Sequence, residues 1–148
     1  MLSFAARSGD EIVAVALWNN PSARNLPRDW LELRRMAVSG SAPHCTASWF
    51  LGAMSRWIRR YMAGVARLIS YQDTSVHKGT IYKAAGWNRG AVAKARLRDR
   101  SKARAGTHRA YRSNGNGVGV DGAEKVRWEL CLREDAEDAR REDRRDGA

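Results

Sequence analysis

Acid–base side chains are concentrated in the run from Ser70 to Trp87. Asp73 and His77 follow an apolar, strand-like stretch, so they could act as a proton-transfer pair or as two ligands of a metal. Tyr82, on a short predicted helix, could donate a proton to a leaving group. Each also has an ordinary interpretation: Asp73 caps a helix, His77 is a solvated loop residue and Tyr82 packs in the core. Two ligands do not define a metal site, since most such sites take three or more.

Small and hydroxyl-bearing residues precede a predicted helix over residues 47–62 and form a second candidate site. The first N–H groups of a helix have no intrahelical partner and carry a partial positive charge, so they bind phosphate well. The residues that would let a pyrophosphate approach the backbone are Gly40, Ser41, Ala42, Thr46, Ala47 and Ser48. The alternative is an ordinary strand–helix turn capped by Thr46 or Ser48. This stretch contains neither a G-x-G-x-x-G nor a Walker sequence.

A basic stretch follows the second candidate helix. The chain has a formal net charge of +11, and residues 83–112 contribute most of it, with ten Lys and Arg against one acid. Such a stretch can bind nucleic-acid phosphates by counterion release. The alternative is a solvated basic loop. The candidate nucleic-acid-binding residues are Arg89, Lys94, Arg96, Arg98, Arg100, Lys102 and Arg104.

The elements that must position these residues alternate between strands and helices. We predict strands over 11–18, 30–38, 65–71 and 125–132, helices over 47–62 and 80–85, a hairpin partner over 2–7 and a basic loop over 88–122. A strand–loop–helix–strand–loop–helix order favours parallel pairing of the strands over 30–38 and 65–71 through a right-handed crossover. The fold class is therefore α/β (α+β).

The predicted helix over residues 47–62 has a clear apolar spacing. The side chains at that spacing are Phe50, Met54, Trp57, Ile58 and Tyr61. The polar residues Ser48, Ser55, Arg56, Arg59 and Arg60 fall mostly elsewhere on the helix. Arg59 and Arg60 near the C-terminal end suit the helix dipole.

Length and composition favour one domain with a polyanionic partner. The chain has 148 residues, of which 43% are apolar, which suits a single modest core. Its net charge is unusual for an enzyme acting on a small molecule. Two cysteines, Cys45 and Cys131, give no reason to expect a disulfide. With no apolar stretch long enough to span a bilayer and no leader-like N-terminus, we expect a cytoplasmic protein that does not enter a membrane.

Three blocks of the sequence resemble one family. The run ISYQDTSVHKGTIYKAAGW (69–87), the run PHCTASWFL (43–51) and the closing KVRWE (125–129) are similar, in residues and spacing, to bacteriophage Mom-type DNA-modification proteins. Those proteins belong to the GNAT superfamily of acetyltransferase-like enzymes. In GNAT proteins a tyrosine followed by Gly-aromatic closes the helix beside the cofactor thiol, a pattern that Tyr82, Gly86 and Trp87 fit.

The resemblance implies a fold and an activity. The fold is a mixed central sheet flanked by helices, and the cofactor is acetyl-CoA or another acyl-CoA, with iron involvement also compatible with the family. The activity adds a carbamoylmethyl group to the exocyclic amine of adenine in double-stranded DNA. This adenine methylcarbamoylation is anti-restriction chemistry, since it masks sites from nucleases in the host cytoplasm.

The resemblance also implies roles for individual residues. Arg35 would neutralise charge near the cofactor or the DNA, Asp73 would orient or deprotonate the adenine amine, and Tyr82 would protonate a leaving thiolate. The cofactor-binding residues would be Val38, His44, Cys45, Thr46, Ala47 and Ser48. If the adenine is flipped out of the duplex, the candidates to stack on it are Trp18, Trp30 and Trp87, whose ordinary role would be in the core.

The sequence departs from the family in one respect. A GNAT domain normally begins with a strand and two helices, and the sequence starts at the hairpin that follows them. We therefore expect a GNAT-like domain over residues 1–132 without those elements and a charged tail, helical or disordered, over 133–148. Two further interpretations stay open: an N-acetyltransferase for a small-molecule or protein amine, and an inactive basic DNA-binding remnant of the fold.

Overall fold

A computed structural model describes residues 1–93 and 124–133. The predicted tail from residue 134 onward and most of the predicted basic loop lie outside the described residues. The described elements, in chain order, are β1 (Leu2–Ser8), β2 (Glu11–Asn19), β3 (Trp30–Val38), α1 (Thr46–Tyr61), β4 (Arg67–Asp73), α2 (Thr80–Ala84), β5 (Asn88–Ala93) and β6 (Lys125–Cys131).

The six described strands form one mixed sheet in the order β1-β2-β3-β4-β6-β5. The predicted parallel pairing of the third and fourth strands is confirmed, and the other neighbours are antiparallel. The hairpin predicted at the start is also present, with Gly9 at φ +60 in its turn. Glycine suits that position because it has no Cβ to clash in the left-handed region.

β3 and β4 pair over only part of their length. The parallel register runs from Trp30 opposite Arg67 to Leu33 opposite Ser70. β3 then continues to Val38 and β4 to Asp73 without further pairing between them. Since both strands run in the same direction, their carboxyl ends separate at one edge of the sheet, where ligands of such sheets usually bind.

α1 packs on the sheet through a narrower face than its spacing predicts. Phe50, Leu51, Met54 and Ile58 are buried, but two other side chains at the predicted spacing are not. Trp57 is 41% exposed and Tyr61 is 60% exposed. At about 100° per residue Trp57 falls at the edge of the stripe that contains Phe50, Met54 and Ile58, whereas Tyr61 falls within the stripe but is the last residue of the helix. They contact each other, and Trp57 also contacts the Phe4 ring.

The predicted basic loop over 88–122 is also wrong at its start, because residues 88–93 form β5. This strand pairs antiparallel with β6, with Ala93 opposite Lys125. The strand has no recognisable sequence pattern because its residues are polar or small and mostly exposed. It forms because β6, which is distant in the sequence, pairs with it. Gly90 admits the Glu129 side chain, since a Cβ there would lie 2.6 Å from Glu129 Oε1.

The fourth strand is shifted along the chain relative to its prediction. The predicted strand over 65–71 runs instead from Arg67 to Asp73, so Asp73 is its last residue and lies at the edge of the sheet.

Among the described helices, none has the length and apolar character required to cross a membrane.

Candidate functional site

The separated ends of β3 and β4 enclose a cavity of about 700 Å³, called here the strand cleft. Its walls are the ends of the two strands and the segment from His77 to Tyr82. Arg35, Asp73 and Tyr82, the three residues predicted as catalytic, all line it, and so does His77. The structure therefore brings together side chains that lie far apart in the sequence.

A second cavity, of about 360 Å³, lies at the N-terminus of α1 and is called here the helix cavity. All of the residues predicted to bind the cofactor line it: Val38, His44, Cys45, Thr46, Ala47 and Ser48. Small residues such as Ala42 and Ala84 complete the wall. The helix cavity and the strand cleft share Val38, Ala47, Thr80 and Ile81 as lining residues, so they are neighbours across one thin wall.

The start of α1 presents backbone N–H groups to the helix cavity. The residue before the helix, Cys45, has a left-handed backbone with φ +66, and no side chain caps the helix. Thr46 and Ser48 use their hydroxyls as donors to the carbonyls of Pro43, at 2.6 Å, and Cys45, at 3.1 Å. The capping interpretation of these two residues is therefore wrong.

The amides of Ala47 and Ser48 accordingly have no acceptor among residues 1–93 and 124–133. Such first-turn N–H groups, beside small side chains, match the requirements of a phosphate group. The Cys45 thiol, at 3.0 Å from His44 Nδ1, lies at the exposed rim of the same cavity. These features fit the phosphates of an acyl-CoA.

Tyr82 forms part of the floor of the strand cleft. Its ring stacks on Trp128 at 5.3 Å between centroids, and its hydroxyl lies 2.8 Å from Ser70 Oγ. Burial raises the pKa of Tyr82 and the hydrogen bond with Ser70 opposes that rise. The phenol therefore stays protonated at neutral pH and can donate a proton, which suits an acid better than a base.

Asp73 lies at the mouth of the strand cleft with its carboxylate held by a neighbour. Ser75 donates to Oδ1 through its hydroxyl, at 2.5 Å, and through its backbone N–H, at 2.9 Å. The hydroxyl hydrogen bond of Ser75 is the main reason that the pKa of Asp73 is lowered. An ionised carboxylate of lowered pKa is a weak base, so it suits orienting an amine N–H better than removing its proton.

Positive charge dominates the rim of the strand cleft. Arg35 and Lys78 are exposed there, while the neighbouring Arg34 is paired with Glu32 at 3.2 Å. Among the described residues, Asp73 is the only acidic one in the lining. An anionic molecule would therefore be attracted to this opening.

Two buried polar residues of β4 belong to the site and were missed by sequence reasoning. Ser70 holds the Tyr82 hydroxyl, and Gln72 hydrogen-bonds the indole N–H of Trp128 at 2.6 Å and the backbone carbonyl of His77. Both side chains are buried. The available signal was their spacing: two polar residues two positions apart on a strand share a face, and here that face is the inner one.

Within the described residues, no three His, Cys, Asp or Glu side chains lie close enough to hold a metal ion. Asp73 and His77 line the same cleft, but they alone do not supply the donor set that an iron site needs. We therefore assign no step to iron.

The aromatic and basic candidates differ in where the structure places them. Of the two roles considered for Trp18, Trp30 and Trp87, the structure shows the ordinary one: all three are buried in the core, where they contribute apolar area. Arg89 is an exposed residue of β5. The remaining basic candidates lie outside the described residues: Lys94, Arg96, Arg98, Arg100, Lys102 and Arg104.

Comparison with protein families gives one match. Residues 15–142 match the Mom protein family, which is most of the 148-residue chain. No match was found among curated proteins.

Three solved structures that resemble this chain are acetyltransferases. An acetyltransferase from Bacillus subtilis in complex with CoA aligns with a TM-score of 0.61 at 16% identity, covering 88% of this chain and 76% of that one. The ribosomal-protein-S18-alanine N-acetyltransferase from Escherichia coli gives 0.57 at 16% identity, with 88% and 68% covered. An acetyltransferase of the GNAT family from Streptococcus pneumoniae gives 0.59 at 10% identity, with 88% and 66% covered. At these identities the likeness establishes the fold.

Proposed function

The chain belongs to the Mom protein family and has a GNAT-like fold, and from this premise we propose that it is a DNA-modifying transferase. The substrate is the exocyclic amine of adenine in double-stranded DNA. Its attack on the thioester of a bound acyl-CoA would form an N-acyl bond and release the coenzyme A thiol. The carbamoylmethyl group of the final base is attached through a CH2 carbon, so it requires a further reaction beyond this transfer. The observation that carries the proposal is the shared wall of the two cavities, which would bring a cofactor and an acceptor together. Tyr82 directly follows two residues of that wall, Thr80 and Ile81.

The helix cavity is the proposed cofactor site. The amides of Ala47 and Ser48 would bind the phosphates of an acyl-CoA. That cofactor, when bound, supplies an acyl group activated as a thioester. The small side chains of Ala42 and Ala84 leave room for it between α1 and α2.

The strand cleft is the proposed acceptor site. The adenine amine is a poor nucleophile because its lone pair is delocalised into the ring, so its orientation matters. The ionised Asp73 carboxylate would accept a hydrogen bond from this amine, and the protonated Tyr82 hydroxyl would face the leaving sulfur as a proton donor. The lowered pKa of Asp73 suits an ionised hydrogen-bond acceptor, and the raised pKa of Tyr82 suits a protonated donor.

The placement of charge supports DNA as the acceptor. Arg35 and Lys78 border the strand cleft. Lys125, where β6 begins, pairs with Asp73 on one side and with Ala93 on the other. Residues 94–123, which connect Ala93 to β6 in the sequence, carry eight Lys and Arg against two acids.

Binding measurements on the purified chain separate this proposal from its alternatives. We expect coenzyme A to bind by calorimetry, duplex DNA to bind by fluorescence anisotropy, and each to bind in the presence of the other. Binding of coenzyme A without DNA would favour an N-acetyltransferase for another amine. Binding of DNA without coenzyme A would favour an inactive remnant, and either result would overturn the proposal.

A further inference from the structure

Gln72 occupies a position where one side chain joins three parts of the site. It is the second-to-last residue of β4, it is 6% exposed, and both ends of its amide are used. Its Oε1 accepts from the Trp128 indole on β6 at 2.6 Å, and its Nε2 donates to the His77 carbonyl in the loop before α2. Asp73 precedes that loop and Tyr82 follows it.

Gln72 is closely packed on the side of the loop before α2. Gly79 packs against it so closely that a Cβ there would lie 2.5 Å from Gln72 Oε1 and 2.7 Å from Trp128 Cζ2. Trp128 in turn stacks on the Tyr82 ring. The amide therefore fixes the loop, the start of α2 and the ring that supports Tyr82 as one packed unit.

A second contact ties the same loop to the start of β6. Thr74 donates to the Glu124 carbonyl through its backbone N–H, at 3.2 Å, and its hydroxyl, at 2.9 Å. This contact is exposed, whereas the contact between Gln72 and Trp128 is buried. Buried hydrogen bonds resist opening more than exposed ones, since water cannot replace them at low cost.

We propose that Gln72 is the positioning residue of the site: its amide, held between Trp128 and His77, sets the distance between Asp73 and Tyr82. The effect of Gln72 on group transfer rests on the proposed function. The two hydrogen bonds that Gln72 makes to Trp128 and His77, called here the clamp, do not depend on the substrate. Displacement of a reacting group by about 1 Å can lower a rate by about 100-fold. An isosteric substitution, Gln72→Glu, can remove the Nε2 donor of the amide while keeping the side-chain shape.

Two variants test the clamp. Gln72→Met keeps the approximate volume and removes both hydrogen bonds. Gln72→Glu keeps the acceptor for Trp128 but loses the donor to the His77 carbonyl, unless the carboxyl is protonated. We therefore expect the defect of Gln72→Glu to diminish as the pH falls from about 8 to about 5.5, and the defect of Gln72→Met to persist.

The first readout is hydrogen exchange of peptides covering residues 73–82, which requires no substrate. We expect exchange about tenfold faster than wild type in Gln72→Met, with recovery at low pH only in Gln72→Glu. Wild type measured at each pH corrects for pH effects that do not depend on Gln72; the ionisable groups around this position are Asp73, His77, Tyr82 and Lys125. Exchange at the wild-type rate in both variants would overturn the proposal, whatever the protein modifies.

The second readout is the rate of DNA modification together with coenzyme A affinity. We expect kcat to fall by about 100-fold in Gln72→Met while the Kd for coenzyme A stays within about twofold, since the amides proposed to bind its phosphates lie on α1, at Ala47 and Ser48, and Gln72 does not contact them. A kcat within about twofold of wild type would contradict the positioning role. If the wild-type chain modifies no DNA, the proposed function fails and the exchange result still decides the clamp.

Discussion

At the scale of single residues, the hydroxyl pair of Ser70 and Tyr82 allows the stabilising role of the Tyr82 hydroxyl to be measured apart from its proposed role as a proton donor. The two oxygens lie 2.8 Å apart in a buried setting, so each satisfies the other. Replacing one of them leaves its partner buried without a hydrogen bond, which costs more than replacing both. This makes the contribution of the phenol measurable apart from its ring.

Tyr82→Phe keeps the stacking on Trp128 and removes the proposed proton donor. We expect the free energy of unfolding to fall by about 1–2 kcal/mol, because the Ser70 hydroxyl is left unsatisfied. Adding Ser70→Ala should restore part of this loss, as measured by denaturant unfolding. DNA modification should be lost in both proteins, and a double variant less stable than the sum of the single ones would contradict this account of the pair.

The pKa of Tyr82 predicts a pH dependence of stability. Burial raises it in the folded protein, so folding favours the protonated phenol. This contribution is fully present below the unfolded pKa of about 10, and it is lost as the pH rises through the folded value. In unfolding measurements between about pH 8 and 11, wild type should lose stability more steeply above about pH 10 than Tyr82→Phe. Parallel curves would show that ionisation of Tyr82 is not opposed by the fold.

At the scale of the elements, the two helices meet the site through their N-termini, and both are preceded by a left-handed residue. Before α1 this residue is Cys45, and before α2 it is Gly79, at φ +75. The two positions differ in their surroundings. Gly79 is enclosed by Gln72 and Trp128, whereas Cys45 is exposed.

Gly79→Ala tests whether this enclosure holds α2 in place. Gly86→Ala is a matched control, because Gly86 has φ +78 and a Cβ there would meet no atom within 4 Å. We expect Gly86→Ala to lose about 1 kcal/mol from backbone strain alone. Gly79→Ala should lose about 3 kcal/mol, since steric overlap is added to the strain. Equal losses of unfolding free energy in the two variants, measured by thermal unfolding, would show that the Gln72 and Trp128 side chains move aside at little cost.

Ala47→Glu tests the start of α1 as the phosphate site. A carboxylate there would repel phosphate and fill the wall shared by the two cavities. We expect the affinity for coenzyme A in calorimetry to fall at least about tenfold, equivalent to about 1.4 kcal/mol. Ala53→Glu, on the same helix and outside both cavities, adds the same charge and should leave the affinity near wild type. A similar loss in both variants would point to net charge alone.

Sequence patterns predicted the elements where periodicity or turn chemistry is strong, such as the hairpin turn at Gly9 and the helix around Met54. They failed where tertiary contacts decide. β5 forms because β6 pairs with it, and Tyr61 is exposed at the last position of α1 although its spacing matches the buried stripe. Gln72 escaped notice for the same reason, since a buried glutamine on a strand is recognised only once its partners on β6 and in the loop are in place.

At the scale of the whole molecule, the described residues on either side of the basic segment 94–123 lie beside the site. Ala93, Lys125 and Asp73 lie in one row across β5, β6 and β4. A nucleic acid attracted by residues 94–123 would therefore be brought to the edge that carries the strand cleft. The salt dependence of binding reports how many phosphates are neutralised.

DNA affinity should fall steeply with salt. A plot of log K against log salt concentration should be linear, and replacing Arg96, Arg98 and Arg100 by Ala should reduce its slope by about three if each contacts a phosphate. Replacing Arg7, Arg24 and Arg28, which lie outside both cavities, gives a control of equal charge. An equal change of slope in the two triple variants would indicate non-local attraction by net charge.

The central claim is that this chain modifies adenine in DNA, and mass spectrometry of nucleosides tests it most directly. Plasmid DNA from cells expressing wild type is compared with DNA from cells expressing Tyr82→Phe, Asp73→Ala or the control Ala53→Glu, which lies outside both cavities. We predict a deoxyadenosine heavier by one carbamoylmethyl group with wild type and with Ala53→Glu, and its absence with the other two. Unmodified deoxyadenosine from cells containing soluble, folded wild-type protein would contradict the claim.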